Sequence, residues 1–364
     1  MLKKTWRVAV VGCGSFANGV YLPNIEKEAP AKCVAVCDII PERAKETAER
    51  FGVPQWYPSV YEMIKKCDFD IAIDAASIQA HHEINMALLQ AGKHLISQKP
   101  AAPTIEAFDA QIALAKEKGV KFNCAPIHPM RFDLAVAQQL MESGAIGTPA
   151  YLKCNLAHGG PEYFQYRNAD PTWFFEDGAG ALVDMGVHGL QIVTTMFGPV
   201  ESISCLSMIT DPQRKVRSGA YNGQQMTTDK IPDEYLISLR FVNGKAGFVD
   251  TGFSQKASKT PQLEIYGTRG TISFTKPYMQ NPMPEVYIDS DAIGMRGWIT
   301  PQPWETVPEK INSQCCCLKD LVRAIENDTE PVLRPEHARH VLEIMTKIPQ
   351  AIRTESTVRM ETTF

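Results

Sequence analysis

The sequence lacks a marked excess of charge of either sign. Among its 364 residues, 37 Lys and Arg and 41 Asp and Glu give a formal net charge of −4, and no block of basic residues occurs. Proteins that bind the phosphate backbone usually carry a strong basic excess. We therefore expect no nucleic-acid partner.

Long apolar runs are also absent, and we expect no export signal. No apolar stretch approaches the ~18 residues that a membrane-spanning helix needs, and no small-residue cleavage site follows the amino terminus. Hydrophobic residues make up 44% and charged residues 21% of the chain, which is typical of globular proteins and excludes a disordered or fibrous chain. We expect no membrane partner, a cytoplasmic location and, from the length, two domains.

The ten cysteines show no paired spacing of the kind that binds zinc, and they are too sparse for a disulfide framework. Three are consecutive, Cys315 to Cys317, and a helix would point their side chains in different directions. The sequence therefore predicts reduced thiols and no metal site. For this run a structural role is favoured over a redox role.

What the chain does contain, from residue 6 to about 125, is an alternation of β-branched runs and helical patterns. This alternation indicates a parallel sheet flanked by helices. The predicted strands are Trp6–Val11, Lys32–Asp38, Phe69–Asp74, His94–Ser97 and Val120–Asn123. The predicted helices are Phe16–Glu28, Pro41–Phe51, Val60–Lys66, Gln79–Ala91 and Thr104–Lys118.

Beyond about residue 130 the pattern changes to longer alternating strands with turn signals such as Asn243-Gly244, which indicate a mostly antiparallel sheet. The predicted strands are Ala150–Leu156, Val200–Ser207, Glu234–Phe241, Ala246–Phe253 and Leu263–Phe274. The predicted helices are Asp133–Ser143, Ala179–Met196, Cys317–Asn327 and Pro335–Arg353.

A glycine pattern follows the first predicted strand and opens the first predicted helix. It reads Gly12-Cys13-Gly14-Ser15-Phe16-Ala17. Gly12 permits a tight turn, Gly14 lets a pyrophosphate approach the backbone, and Ala17 allows close packing of helix on strand. The amino terminus of the helix would then offer N–H groups to the phosphates.

Asp38, 21 residues after Ala17, matches the carboxylate that accepts hydrogen bonds from an adenosine ribose. It would repel a 2′-phosphate, and no Lys or Arg occupies positions 39–41, so NAD is favoured over NADP. Arg43, one helical turn later, could still reach such a phosphate. The sequence thus predicts an α/β fold, with a Rossmann dinucleotide-binding domain at 1–126 and an α+β domain with a large, mostly antiparallel open sheet at 127–364.

Two further motifs extend this interpretation. Residues 91–100 read AGKHLISQKP, and residues 178–188 read GAGALVDMGVH. Shorter matches are PERA at 41–44, His81, RFD at 131–133 and EIYGTRGT at 264–271. Taken in order along the chain, these stretches resemble the Gfo/Idh/MocA oxidoreductases, the family of glucose–fructose oxidoreductase and inositol dehydrogenase.

The resemblance implies a bound NAD or NADP, a second domain whose open sheet supplies the substrate face and the subunit contacts of a dimer or tetramer, and catalytic roles for Lys99, Asp184 and His188. The cofactor-binding candidates are Gly12, Gly14, Ser15, Phe16, Ala17, Asp38, Ser77, His81, Gln98 and Lys99. Gln98 stands where the family usually has Glu, and Pro129, beside His128, replaces a common Asn.

The chemistry of these residues can be argued separately. Oxidation of a secondary alcohol needs a hydride acceptor and a base for the hydroxyl proton. Asp184 and His188 are four residues apart and so share a helix face, and Lys99 follows a parallel strand. We predict that His188 is the general base and that Lys99 hydrogen-bonds the reacting oxygen, although a lowered lysine pKa could let it share the proton transfer. Asp184 would bind a neighbouring hydroxyl or orient the two cationic groups.

The substrate-binding candidates are His128, His158, Trp173, Asp184 and His188. For His158 a structural role and a ligand role are both open. Trp173 is either an anchor of its loop or an apolar wall for a ring. Tyr163, Phe164 and Tyr166 could line a larger pocket.

We therefore expect an NAD-dependent oxidoreductase that acts on a secondary hydroxyl of a sugar, glycoside, cyclitol or polyol. The alternative is an enzyme that retains NAD and uses transient oxidation at C3 for elimination, epimerisation or glycosidic cleavage. A non-enzymatic NAD-sensing protein is the least favoured hypothesis.

Overall fold

The computed structural model describes residues 4–164, 170–275, 283–291, 294–304, 311 and 313–364. The chain forms two compact units. The first unit comprises residues 1–127 and 311–342, and the second unit comprises residues 128–310 and 343–364. The division at residue 126 made from the sequence stays a prediction of domain organisation.

The first unit is built on a parallel sheet of six strands. They are β1 (Trp6–Val11), β2 (Ala31–Cys37), β3 (Gln55–Tyr57), β4 (Ile71–Asp74), β5 (His94–Ser97) and β6 (Phe122–Cys124), in the order β3-β2-β1-β4-β5-β6. The intervening helices are α1 (Ile25–Glu28), α2 (Pro41–Phe51), α3 (Val60–Lys66), α4 (His81–Gln90) and α5 (Ile105–Lys118). The strand order reverses between β1 and β4, which is where open α/β sheets bind their ligands. The predicted Rossmann fold is confirmed.

The second unit is built on a mixed sheet. Its elements before the carboxyl-terminal region are α6 (Phe132–Glu142), β7 (Pro149–Asn155), α7 (Pro161–Phe164), α8 (Val187–Phe197), β8 (Val200–Met208), β9 (Gln213–Lys215), β10 (Gln225–Thr227), β11 (Glu234–Phe241), β12 (Ala246–Gly252), β13 (Leu263–Gly267), β14 (Gly270–Phe274), β15 (Glu285–Ser290) and β16 (Met295–Ile299). The chain continues through α9 (Cys316–Glu326) and α10 (Pro335–Thr354) to β17 (Val358–Arg359).

Nine of these strands form one sheet in the order β16-β15-β14-β13-β7-β12-β11-β8-β17, and β9 pairs separately with β10. Among the described strand pairs of this sheet, β7–β12 is parallel and the others are antiparallel. The predicted mostly antiparallel sheet is thereby confirmed. The single strand predicted over Leu263–Phe274 is instead the hairpin β13–β14, because Thr268 and Arg269 form a turn between the two strands.

No described helix is both long enough and apolar enough to span a bilayer.

Candidate functional site

The glycine turn after β1 has the geometry that a dinucleotide site requires. Gly12 has φ +88°, and a Cβ there would lie 2.6 Å from the backbone of Ala75, so only glycine fits. Gly14, by contrast, faces open space, because a Cβ there would meet no described atom within 4 Å. Space is therefore left at the point where a pyrophosphate must approach the backbone.

Asp38 directly follows β2, beside this turn, and is 6% exposed. Its Oδ2 accepts a hydrogen bond from the N–H of Cys13, and its Oδ1 accepts one from the N–H of Ile40, both at 2.9 Å. Each carboxylate oxygen can accept a further hydrogen bond, so the ribose role predicted for Asp38 fits this position. Arg43 directs Nη1 to Asp38 Oδ2 at 3.6 Å.

The helix predicted from Phe16 to Glu28 is interrupted. Ala17–Tyr21 form a π-helical turn closed by Leu22 N–H to Ala17 O at 3.0 Å, and α1 begins only at Ile25. Ser15 is exposed, and the half-buried Phe16 ring meets the buried Tyr21 ring edge to face at 5.5 Å. The first turn after the glycines is therefore anchored by Tyr21.

Gln98 and Lys99 follow β5. The Gln98 amide donates to the hydroxyl of Tyr21, so the residue that stands where the family usually has Glu is a neutral donor to a buried phenol. Lys99 is half-buried and precedes a cis peptide bond to Pro100. Both residues lie at the carboxyl edge of the parallel sheet, as predicted.

His81 and Asp74 form a buried pair after β4. His81 is 1% and Asp74 0% exposed. Asp74 Oδ2 lies 2.7 Å from His81 Nδ1, and Asp74 Oδ1 accepts from the N–H of Ala76 at 3.0 Å. His81, a predicted cofactor residue, thus holds the Asp74 carboxylate in place, and Asp74 in turn binds the backbone of the loop that carries the exposed Ser77. Sequence reasoning missed Asp74, although an acidic residue that ends a buried parallel strand is a signal.

Asp184 and His188 lie where a π-helical turn, Leu182–Gly186, passes into α8. Both side chains are half-buried. Such widened single turns occur frequently at functional sites. On the same helix, a Cβ at Gly189 would lie 3.1 Å from Val249 on β12, so the helix packs closely against the sheet.

His128 links this helix to a buried arginine. His128 is 1% exposed, and its Nε2 lies 2.9 Å from His188 Nδ1. The Nη1 of Arg131 lies 3.2 Å from His128 Nδ1. Arg131 in turn donates from Nε to Asp133 Oδ1 at 2.9 Å and from Nη2 to Asp133 Oδ2. Gln191 Oε1 accepts from the backbone N–H of His128 at 3.3 Å.

His158 belongs to the same part of the second unit. The N–H of Gly160 donates to its Nδ1 at 2.9 Å, and its ring stacks on Phe253 at 5.2 Å. Burial lowers the pKa of His158 below its usual value, while the negative charge of Asp184 acts in the opposite direction. At neutral pH the ring is therefore neutral and carries its proton on Nε2.

The aromatic candidates differ in their contacts. Trp173 stacks on the buried Phe174 with ring centroids 3.8 Å apart. The Tyr163 ring is covered by the guanidinium of Arg217 at 4.7 Å, and Phe164 is 51% exposed. Tyr166 lies outside the described residues.

The predicted site residues thus divide between the two units. Lys99 and the cofactor candidates belong to the first unit, and His128, His158, Trp173, Asp184 and His188 belong to the second. Within the described ranges, no three His, Cys, Asp or Glu side chains form a group that could hold a metal ion.

Comparison with known proteins gives matches to both units. Residues 6–125 match the family model described as "Oxidoreductase family, NAD-binding Rossmann fold", and residues 134–273 match that of the "GFO/IDH/MocA C-terminal domain". Levoglucosan dehydrogenase of Pseudarthrobacter phenanthrenivorans is 29% identical over 298 residues, which cover 77% of this chain and 74% of the relative. The scyllo-inositol 2-dehydrogenase (NAD(+)) of Bacillus subtilis is 26% identical over 270 residues, covering 73% and 72%.

A solved structure of levoglucosan dehydrogenase in complex with NADH and L-sorbose superposes with a TM-score of 0.82 at 23% identity. It covers 98% of this chain and 99% of that one. At this identity the superposition shows a shared fold.

Proposed function

Because this chain belongs to the Gfo/Idh/MocA family of NAD-dependent oxidoreductases, we propose that it oxidises a secondary hydroxyl of a sugar, glycoside, cyclitol or polyol, or reduces the corresponding ketone. The named relatives are dehydrogenases of levoglucosan and of scyllo-inositol. The observation that carries the proposal is the group of polar side chains around the π-helical turn, namely Asp184, His188, His128 and His158.

These residues suit a ligand with several hydroxyl groups. Asp184 is a hydrogen-bond acceptor, and the Nε2–H of His158 is a donor. A polyhydroxylated ring offers both donors and acceptors, so mixed partners at one site favour it over a purely apolar ligand. Trp173 supplies an apolar surface for the face of such a ring.

The first unit carries the residues predicted to bind the cofactor. NAD, when bound, accepts the hydride from the carbinol carbon. Gly12, Gly14 and Asp38 fit its pyrophosphate and ribose, and the loop held by Asp74 and His81 is assigned to the nicotinamide end. Lys99 hydrogen-bonds the substrate oxygen and shares in the transfer of its proton.

The test is turnover with a panel of polyols, free sugars, anhydrosugars and glycosides, followed by the absorbance of NADH. We expect NADH to accumulate in step with a ketone product. Substrate turnover without net NADH would favour the alternative with retained cofactor, and no turnover on any compound would favour an NAD-sensing protein.

Lys99→Ala and Asp184→Asn should each lower kcat by about 10²–10⁴-fold, while NAD binding, measured by protein fluorescence, changes little. The exposed Lys65 on α3 gives a matched control, Lys65→Ala, which should leave kcat as it is. Full activity of either site variant would contradict the assigned roles.

A homo-oligomer and a cytoplasmic location are further parts of the proposal. The nine-stranded sheet presents large apolar side chains to solvent, including Leu206 at 70%, Trp298 at 52% and Tyr151 at 40% exposure. Patches of this kind mark interaction surfaces. Light scattering after size exclusion should give a dimer or a tetramer.

A further inference from the structure

Arg131, His128 and His188 form a chain of hydrogen bonds that we call the histidine relay. Asp133 fixes the guanidinium of Arg131 through two of its nitrogens, and a third nitrogen, Nη1, faces His128 Nδ1 at 3.2 Å. The opposite ring nitrogen of His128 faces His188 Nδ1 at 2.9 Å. Arg131 is 3% exposed and Asp133 is fully buried, so the start of the relay is rigid and shielded from water.

The direction of every hydrogen bond in the relay follows from its first member. Arginine can only donate and keeps its protons at all relevant pH values. His128 Nδ1 must therefore accept, which leaves the proton of the neutral ring on Nε2. This N–H donates to His188 Nδ1, and the proton of neutral His188 is then on its own Nε2.

From this geometry we propose that Arg131, acting through His128, holds His188 as a hydrogen-bond donor to the reacting oxygen and prevents it from being the general base. The proposal rests on the proposed function. A base at Nε2 would need its proton on Nδ1, where it would face the N–H of His128. The polarity of the relay excludes that arrangement, because the ring protons of both histidines would have to move and the Nδ1–H of His128 would then face an N–H of Arg131.

The reaction stays balanced under this assignment. In oxidation, the hydride leaves the carbinol carbon for NAD, the C–O bond gains double-bond character, and the hydroxyl proton passes to a base other than His188, the role predicted for Lys99 as a neutral amine. His188 Nε2–H donates to the oxygen throughout. In reduction the same N–H polarises the carbonyl, as a neutral histidine can. Arg131 and His128 are positioning residues in this scheme, because they act through His188.

Three variants of His128 separate the possibilities. His128→Gln can accept from Arg131 with its carbonyl and donate to His188 with its amide, so it preserves the polarity. His128→Glu offers only an acceptor to His188 Nδ1, so it reverses the polarity. His128→Leu removes the link. Arg131 itself is left unchanged, since its loss would strand the buried carboxylate of Asp133.

The first readout is independent of turnover. The chain has eight histidines, so ¹⁵N spectra of protein labelled at histidine can be assigned with a His188→Gln variant. The chemical shift distinguishes a protonated from an unprotonated ring nitrogen. We expect His188 to carry its proton on Nε2 in the wild type and in His128→Gln, and on Nδ1 in His128→Glu.

The second readout is the division between kcat and KM on the best substrate of the panel. We expect His128→Glu and His128→Leu to lower kcat about 100-fold with KM within about threefold, and His128→Gln to lose less than about tenfold. His82→Gln, the same substitution at a half-buried histidine of α4, is the control for both readouts and should change neither.

A wild-type His188 with its proton on Nδ1, or a proton position that does not move in His128→Glu, would overturn the proposal. So would equal kcat values in the Gln and Glu variants. If the spectra agree with the expected tautomers and no substrate turns over, the relay stands and the proposed function fails.

Discussion

Gly12 and Gly14 are two residues apart and differ in what surrounds them. Gly12 has a positive φ and touches the backbone of Ala75, whereas Gly14 faces open space. The first glycine is therefore required by the fold, and the second is required only by a ligand.

Substitution should separate these two roles. Gly14→Ala should keep the melting temperature of the NAD-free protein within about 2 °C, because the added methyl group meets nothing, yet raise the Kd for NAD at least tenfold. Gly12→Ala should lower the melting temperature strongly, because the positive φ is unfavourable for alanine and its methyl group would also clash with the backbone of Ala75. Differential scanning fluorimetry and NAD titration measure both effects.

Gly19→Ala, at a helical glycine that also faces open space, is the matched control and should affect neither quantity. Unchanged NAD affinity in Gly14→Ala would show that the pyrophosphate does not lie against this turn.

Single residues could be predicted from the sequence where a backbone rule dictates them. The glycine turn, Asp38 and Lys99 stand at positions that strand ends and tight turns define. Asp74 and the direction of the histidine relay could not be predicted, because a hydrogen bond between side chains depends on which groups the folded chain brings together.

At the level of elements, the strand pair β11–β12 brings the buried carboxyl of Glu234 beside the half-buried carboxyl of Asp250. Burial raises the pKa of Glu234 to about 7, and the neighbouring carboxyl of Asp250 acts in the same direction. Ser254 donates to Glu234 Oε2, and Gln255 donates to Asp250 Oδ1 at 2.9 Å. The folded state therefore holds the proton of Glu234 more tightly than the unfolded state does. The stabilisation that this proton provides is complete below about pH 4.5 and is lost as the pH rises through 7.

Glu234→Gln cannot ionise, and its amide can donate to Asp250 as the protonated carboxyl does. The melting temperature of this variant relative to the wild type should therefore rise by a few degrees between pH 5 and pH 8. Thermal unfolding across that range is the measurement. Melting temperatures of the two proteins that change in parallel with pH would contradict a proton held between Glu234 and Asp250. Glu264→Gln on β13 controls for the loss of a carboxylate in the same sheet.

Most elements follow from periodicity, and the exceptions have local causes. The strand β3 has only three residues, two of them exposed, which gives too little alternation to recognise. The π-helical turns at Ala17–Tyr21 and Leu182–Gly186 widen a helix by one residue, and hydrophobic patterns do not resolve such a change. The β15–β16 pair is mostly half-exposed or exposed and carries no clear apolar face.

For the molecule as a whole, residues 311–342 pack with the amino-terminal sheet. Asp320, on α9, accepts from the amide of Asn123 on β6 at 3.1 Å, and from the N–H groups of Val332 and Leu333 at 2.9 and 3.1 Å. Its side chain is 1% exposed. No sequence signal indicates this return of the chain, because Asp320 and Asn123 are 197 positions apart.

Asp320→Ala would remove the acceptor of the Val332 and Leu333 N–H groups and one acceptor of the Asn123 amide, so we expect a loss of about 2–4 kcal/mol in the free energy of unfolding. Urea unfolding followed by circular dichroism measures it. Lys319→Ala, at the exposed neighbouring position, should cost little. A loss below about 1 kcal/mol for Asp320→Ala would show that the return of the chain is not anchored there.

All ten cysteines lie among the described residues and are free, and eight of them are buried. Eight belong to the first unit, and only Cys154 and Cys205 belong to the second. Burial raises the pKa of Cys33 and of Cys205 to about 12, so even the two half-buried thiols react slowly at neutral pH. The rate at which an alkylating reagent modifies each thiol of the native protein therefore reports how often that part of the fold opens. Peptide mapping of the modified thiols would give this rate for each unit without any engineered probe.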